Sequence, residues 1–219
     1  MNWMKKVAVA LVCLLPLGLQ AAKVDTLQVK SPSMNKSIEV VVVSPDMAAA
    51  EACPVIYLLH GYGGNARTWV GIKPDLPKIA DEKGIFFVCP DGKNTWYWDS
   101  PLNADVRYET FISDELVKYV DSHYKTVADR KGRAITGLSM GGHGAMWNGL
   151  RHSDVFSAAG STSGGVDIRP FPKNWEMSVQ IGEKAKYPEN WEKYTVINLV
   201  PTLRKDQIAL IFDCGDSDF

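Results

Sequence analysis

Apolar residues in this 219-residue chain fall into short runs divided by stretches of mixed character. Leu27 to Val29 and Ile38 to Val43 are rich in β-formers, and Ser31 to Lys36 between them is turn-forming, so the pattern predicts an opening hairpin. Asp46 to Ala52 reads as a loop or a short helical turn. Pro54 to Leu59 is unbroken apolar sequence ending at His60-Gly61, the signature of a strand covered on both faces. Pro74 to Lys83 predicts a helix that stops at Gly84, a residue suited to a left-handed cap. Ile85 to Cys89 is a second covered strand, closed by Pro90-Asp91-Gly92.

Between Glu109 and Tyr124, the residues Ile112, Leu116, Val117 and Val120 share one helical face. Arg133 to Leu138 predicts a strand, Gly141 to Leu150 a helix despite its glycines, and Val155 to Ala159 a short strand. Ile168 to Tyr187 is irregular, with Pro, Lys and Trp among its residues. Asn190 to Leu203 predicts a helix as far as Pro201, and Gln207 to Asp213 a final strand. Strands alternating with helices imply an α/β class, with a mostly parallel sheet and helices on both faces.

Lys5 and Lys6 precede an apolar run from Val7 to Leu19, followed by the small residues Ala21 and Ala22. That is the layout of a secretory signal peptide over residues 1–22, too short to span a bilayer comfortably. The expectation is an exported protein, secreted or periplasmic, with no stable membrane insertion after cleavage and one domain over residues 23–219. The 24 basic and 25 acidic residues leave a net charge of −1 with no basic run, which removes the case for nucleic acid. Cys53, Cys89 and Cys214 form an odd set without CxxC or zinc-type spacing and read as structural, Cys89 and Cys214 as small hydrophobes at strand ends.

The chemistry is concentrated in Gly137-Leu138-Ser139-Met140-Gly141. A bare G-x-S-x-G is a weak signal, but here an apolar strand precedes it and a helix follows, the setting of a nucleophile elbow. Ser139 would stand at a helix N-terminus, where developing negative charge is favoured. An acyl-transfer nucleophile also needs donors for its oxyanion. The Met140 N–H is one candidate, and Tyr62 in His60-Gly61-Tyr62-Gly63-Gly64 supplies the other. The acid should follow a late strand, where Asp213, Asp216 and Asp218 compete. A histidine should come after it, and none does. His60 is expected to hold the oxyanion loop, His143 to pack in its helix, and His123 and His152 to sit at helix ends.

YLLHGYGG, FVCPDG, NTWYWDSP, RYETFISDELVKYVDSHY, GLSMGGHGA and DCGDSDF, in that order, resemble the esterase D-like branch of the α/β-hydrolases. That branch includes tributyrin esterases, S-formylglutathione hydrolases, feruloyl and acetyl-xylan esterases, and antigen 85 mycolyltransferases. The resemblance implies an α/β-hydrolase fold with Ser139 as nucleophile and the Tyr62 and Met140 amides as the oxyanion hole. It selects Asp218 as the acid and sets Trp96, Tyr97 and Trp98 in the substrate cleft. No metal or organic cofactor is implied. The partner is a small-molecule or glycan ester, and the activity is serine carboxylic-ester hydrolysis through an acyl-enzyme. The alternatives are an acyltransferase of the antigen 85 type and a non-catalytic glycan-binding relative. Family members continue past the acid with a last strand and a histidine loop, so this chain is expected to be C-terminally truncated and feebly active, with an unpaired sheet edge beside Gln207 to Asp213.

Overall fold

The computed structural model describes residues 22–218, so the leader expected over residues 1–22 lies, Ala22 apart, outside the described residues. The hairpin is longer than its apolar pattern: β1 (Lys23–Ser31) pairs antiparallel with β2 (Lys36–Ser44). Next come β3 (Val55–Leu59), β4 (Phe86–Pro90), β5 (Arg133–Gly137), β6 (Ala158–Thr162) and β7 (Ala209–Asp213). They form one seven-stranded sheet in the order β1-β2-β4-β3-β5-β6-β7. β2 meets β4 antiparallel, and every pairing from β4 to β7 is parallel.

The continuous apolar runs arise because both faces of this sheet are covered. Val40, Val42, Tyr57, Leu59 and Val88 point into one core, while Val41, Val43, Leu58, Phe87 and Cys89 point into the other. The second core lies under two helices, α1 (Thr68–Ile72) and α2 (Leu76–Lys83). α2 ends as expected at Gly84, whose φ of 63° lets its N–H reach Ala80 O. The first core is covered by one long helical segment and by α5 (Met140–Arg151). The long segment is α3 (Tyr108–Thr110), a π-helical turn (Phe111–Glu115) and α4 (Leu116–His123), and its predicted apolar face is buried. Glu109 pins it to α5. Its buried carboxylate accepts from Trp147 Nε1, Arg151 Nε and His152 Nε2, each at 2.8 Å.

Three expectations need correction. β6 begins three residues later than the Val155 to Ala159 pattern suggests, because Val155 and Phe156 still close the turn after α5 by donating to His152 O. The helix expected over 190–203 is two pieces, α7 (Pro188–Lys193) and a 3₁₀ segment (Val196–Thr202), with extended Thr195 between them. The break lets Trp191, Tyr194 and Val196 all reach the core. The irregular region also contains a short helix, α6 (Met177–Ile181). At the sheet edge, β7 pairs with β6 alone among the described residues, and Ile211 and Phe212 are 75% and 76% exposed. No helix among them is long and apolar enough to cross a membrane.

Candidate active site

Ser139 sits between β5 and α5 with φ 55° and ψ −117°, a conformation that L-residues hold only when their surroundings enforce it. The surroundings are the ends of two neighbouring strands. Leu138 N–H donates to Leu59 O at 3.2 Å, Ser139 N–H to Thr162 O at 2.9 Å, and Gly141 N–H to Leu138 O at 2.8 Å. The two glycines of the motif are required by closeness. A Cβ on Gly141 would stand 2.2 Å from Leu59 O, and one on Gly137 2.2 Å from Gly141 O. The turn thus delivers the Ser139 side chain to the N-terminus of a twelve-residue helix, the positive end of its dipole.

A cavity of about 420 Å³ opens at this point, and Tyr62, Trp96, Ser139, Met140, Cys214 and Asp218 all line it. Of the three competing carboxylates, Asp218 is the one in the cavity wall. Cys214 differs from the small buried hydrophobe expected. It is exposed, and its thiol donates to Asp218 Oδ2 at 3.2 Å. The Asp218 carboxylate beside it pushes that thiol up. Cys53 and Cys89 are buried, and burial pushes Cys89 up to about 12.

The Met140 N–H lies in the first turn of α5, where no preceding turn offers an acceptor. The Tyr62 loop is held from beneath by His60, which is buried. His60 Nδ1–H donates to Gly61 O at 2.7 Å while Nε2 accepts from Gly92 N–H at 2.9 Å, so two bonds fix one neutral tautomer. From the rim, Asn94 Oδ1 accepts from Gly63 N–H at 2.9 Å and its amide donates to Glu176 Oε2 at 3.2 Å. Partial desolvation and the facing Glu176 carboxylate push the Tyr62 phenol up. Behind the loop, burial raises Asp91, but the neighbouring His60 ring at 3.5 Å and the Lys93 ammonium at 2.6 Å together outweigh it and hold the carboxyl well below the usual range.

The aromatic loop divides. Trp96 lines the cavity, whereas Tyr97 and Trp98 are fully buried beneath it. Left-handed backbone at both Trp96 and Tyr97 (φ 59° each) turns the second ring inward. Tyr97 lies against Gly92 and Gly144, where an added Cβ would meet its ring at 2.1 and 2.4 Å, and its hydroxyl donates to His60 O. Trp98 Nε1–H donates to His143 Nε2 at 2.9 Å. The cavity's other aromatic walls are Phe171 and Trp175, which sequence reasoning missed. Their only signal was the presence of these two aromatic residues in the irregular stretch, and Trp96 Nε1–H donates to Trp175 O at 3.1 Å. Among the described residues, six of nine non-glycine positions with positive φ line this cleft or adjoin a lining residue: Trp96, Tyr97, Ser139, Ser163, Trp175 and Glu176. Strain of this kind is commonly stored at functional sites.

None of the four histidines lines the cavity. His60 and His143 are buried with both ring nitrogens engaged. His123 stacks on Tyr119, and His152 serves Glu109.

Residues 31–218 match the family model described as "Putative esterase". An esterase of Mycobacterium tuberculosis is 30% identical over 149 residues, an alignment covering 65% of this chain and 32% of that protein. The chain thus spans about a third of the length of that curated relative. A solved ferulic acid esterase is 28% identical with a TM-score of 0.71, covering 90% of this chain and 80% of that one. The S-formylglutathione hydrolase of Agrobacterium tumefaciens superposes with a TM-score of 0.74 at 22% identity, over 91% and 78% of the two chains. The architecture is the α/β-hydrolase fold.

Proposed function

The chain belongs to the Esterase family, and from that premise we propose that it is a serine carboxylic-ester hydrolase working through an acyl-enzyme. One observation carries the reading: Ser139, strained at the head of α5, shares a cavity with Tyr62, Met140 and Asp218. The Ser139 hydroxyl oxygen attacks the ester carbonyl carbon as its proton passes to a base. The resulting oxyanion accepts from the Met140 and Tyr62 N–H groups. Collapse expels the alcohol, which takes up the proton, and water then hydrolyses the acyl-serine by the same steps. The base is an imidazole oriented by Asp218, and the chain's own four histidines do not fill that place, so its unaided rate is low. The substrate class is an acyl group on a carbohydrate or another small ester. Trp96, Phe171 and Trp175 line the cavity with aromatic rings, a wall chemically suited to a sugar or an aromatic acid. The leader pattern of residues 1–22 supports export.

The test is hydrolysis of p-nitrophenyl acetate with and without added imidazole, in wild type and Ser139→Ala. Wild type should show an imidazole-stimulated rate above the imidazole background and should bind a fluorophosphonate covalently at Ser139, and the variant should do neither. Equal behaviour of the two proteins would end the hydrolase reading. The histidine-free cavity favours one alternative, a glycan-binding relative without catalysis. That reading would be left standing if glycan affinity survived Ser139→Ala.

A further inference from the structure

His143 lies one helical turn past Ser139 and is fully buried. Its Nδ1–H donates to Gly165 O at 2.7 Å, and its Nε2 accepts from Trp98 Nε1–H at 2.9 Å. Those bonds fix the neutral Nδ1–H tautomer, in keeping with burial that holds the imidazole down at about 4. Each bond reaches a different loop. Gly165 belongs to the cavity wall, and Trp98 stacks on Trp96, the wall residue, with ring centroids 5.5 Å apart. The imidazole also stands edge-on to Trp96 and Trp98, at 5.1 Å from each. Gly165 in turn faces Trp96, since a Cβ on it would contact that ring at 3.8 Å. Two walls of the cavity are therefore suspended, through one side chain, from the helix that carries Ser139.

We propose that His143 is a positioning residue that sets acyl specificity, by holding the Gly165 segment against Trp96 so that the two together form the stretch of cavity wall on which a bulky flat acyl group packs. The inference rests on the hydrolase reading for its substrate but not for its geometry. An acetyl group needs little of these walls, whereas an aromatic acyl group is recognised by them. Loss of the imidazole should thus act on binding of the larger group and leave the chemistry at Ser139 alone.

Two replacements separate the bonds. His143→Gln reaches Trp98 with a carbonyl oxygen but gives up the donor to Gly165. His143→Asn keeps a donor near Nδ1 but is too short for Trp98. The assay is hydrolysis of p-nitrophenyl acetate and p-nitrophenyl 3-phenylpropionate with added imidazole, beside melting curves. In the Gln variant, KM for the aromatic ester should rise about tenfold, an affinity loss of about 1.4 kcal/mol. Its kcat and the acetate parameters should stay within about threefold, roughly 0.7 kcal/mol. The Asn variant should fall between Gln and wild type. Trp98→Phe, which removes the same anchor from the other side, should match Asn and serves if an imidazole variant fails to fold. Both esters declining in parallel, or lowered melting temperatures with unchanged KM, would overturn the proposal and leave His143 a packing residue. Should wild type turn over neither ester, the hydrolase reading fails by itself. The proposal is then decided by tryptophan quenching with ferulic acid: a Kd weakened in the order Asn, then Gln, supports it. Equal Kd values, or no binding by wild type, refute it.

Discussion

Placing a single methyl group at Gly141 tests whether the elbow depends on contact between α5 and β3. The added Cβ of Gly141→Ala would lie 2.2 Å from Leu59 O, 2.5 Å from Leu59 C and 2.7 Å from His60 O. All three atoms are backbone, so no side chain can swing aside. Restoring ordinary contact requires the first turn of α5 to withdraw by roughly 1 Å, which is overpacking of the costly kind. The withdrawal also stretches the Leu138 N–H bond to Leu59 O, already 3.2 Å long. Overpacking of about 2–3 kcal/mol and a weakened hydrogen bond of about 1 kcal/mol sum to roughly 3–4 kcal/mol. For a domain of this size that lowers the melting temperature by about 6–16 °C. The matched control is Gly71→Ala, in α1, where a Cβ meets nothing within 4 Å and helix propensity favours Ala by about 0.5–1 kcal/mol. Calorimetry of the two variants beside wild type, with fluorophosphonate labelling of Ser139, provides the comparison. A Gly141→Ala protein melting within about 2 °C of wild type and labelling normally would refute the close-approach argument.

Ser139→Gly should abolish labelling yet stabilise the fold by about 1 kcal/mol, because glycine adopts φ 55°, ψ −117° without the strain that serine bears there. A lower melting temperature in urea-free buffer would contradict that. Glu109→Gln should cost about 3 kcal/mol at pH 7, since it leaves Arg151 and His152 without their shared anion. Burial raises the Glu109 carboxyl, but the hydrogen bonds from His152, Arg151 and Trp147 outweigh it and hold it below its ordinary value of 4.5. A lowered folded value stabilises above the unfolded one and is lost as pH falls through the folded one. The gap between wild type and Glu109→Gln in urea unfolding should therefore narrow as pH drops from about 5 toward 3, and a gap independent of pH would count against the network.

The sequence alone determined what depends on local periodicity and local sterics. Continuous apolar runs located β3 and β4, because a strand covered on both faces has no polar side to alternate with. Gly84 marked the end of α2, since its left-handed cap suits a residue without Cβ. Gly137, Ser139 and Gly141 announced the elbow, because a turn this tight permits no side chain at two of its positions. What the sequence left open was decided by contacts between distant segments. β6 was misplaced because Ala158 to Thr162 are small residues of little strand character, chosen by the nearness of α5: a Cβ on Gly149 would stand 2.5 Å from Ala159 Cβ. Trp96, Tyr97 and Trp98 are equivalent in a string of letters. Only the left-handed turn at Trp96 and Tyr97, and the places waiting for their rings and polar tips beside Gly92, Gly144 and His143, sent one to the cavity and two beneath it. Likewise Asp213, Asp216 and Asp218 are alike in residue type; the family resemblance singled out Asp218, but only the fold brings it to the cavity that holds Ser139. Periodicity is a property of neighbours along the chain, whereas the direction of a side chain at a cleft is set by neighbours in space.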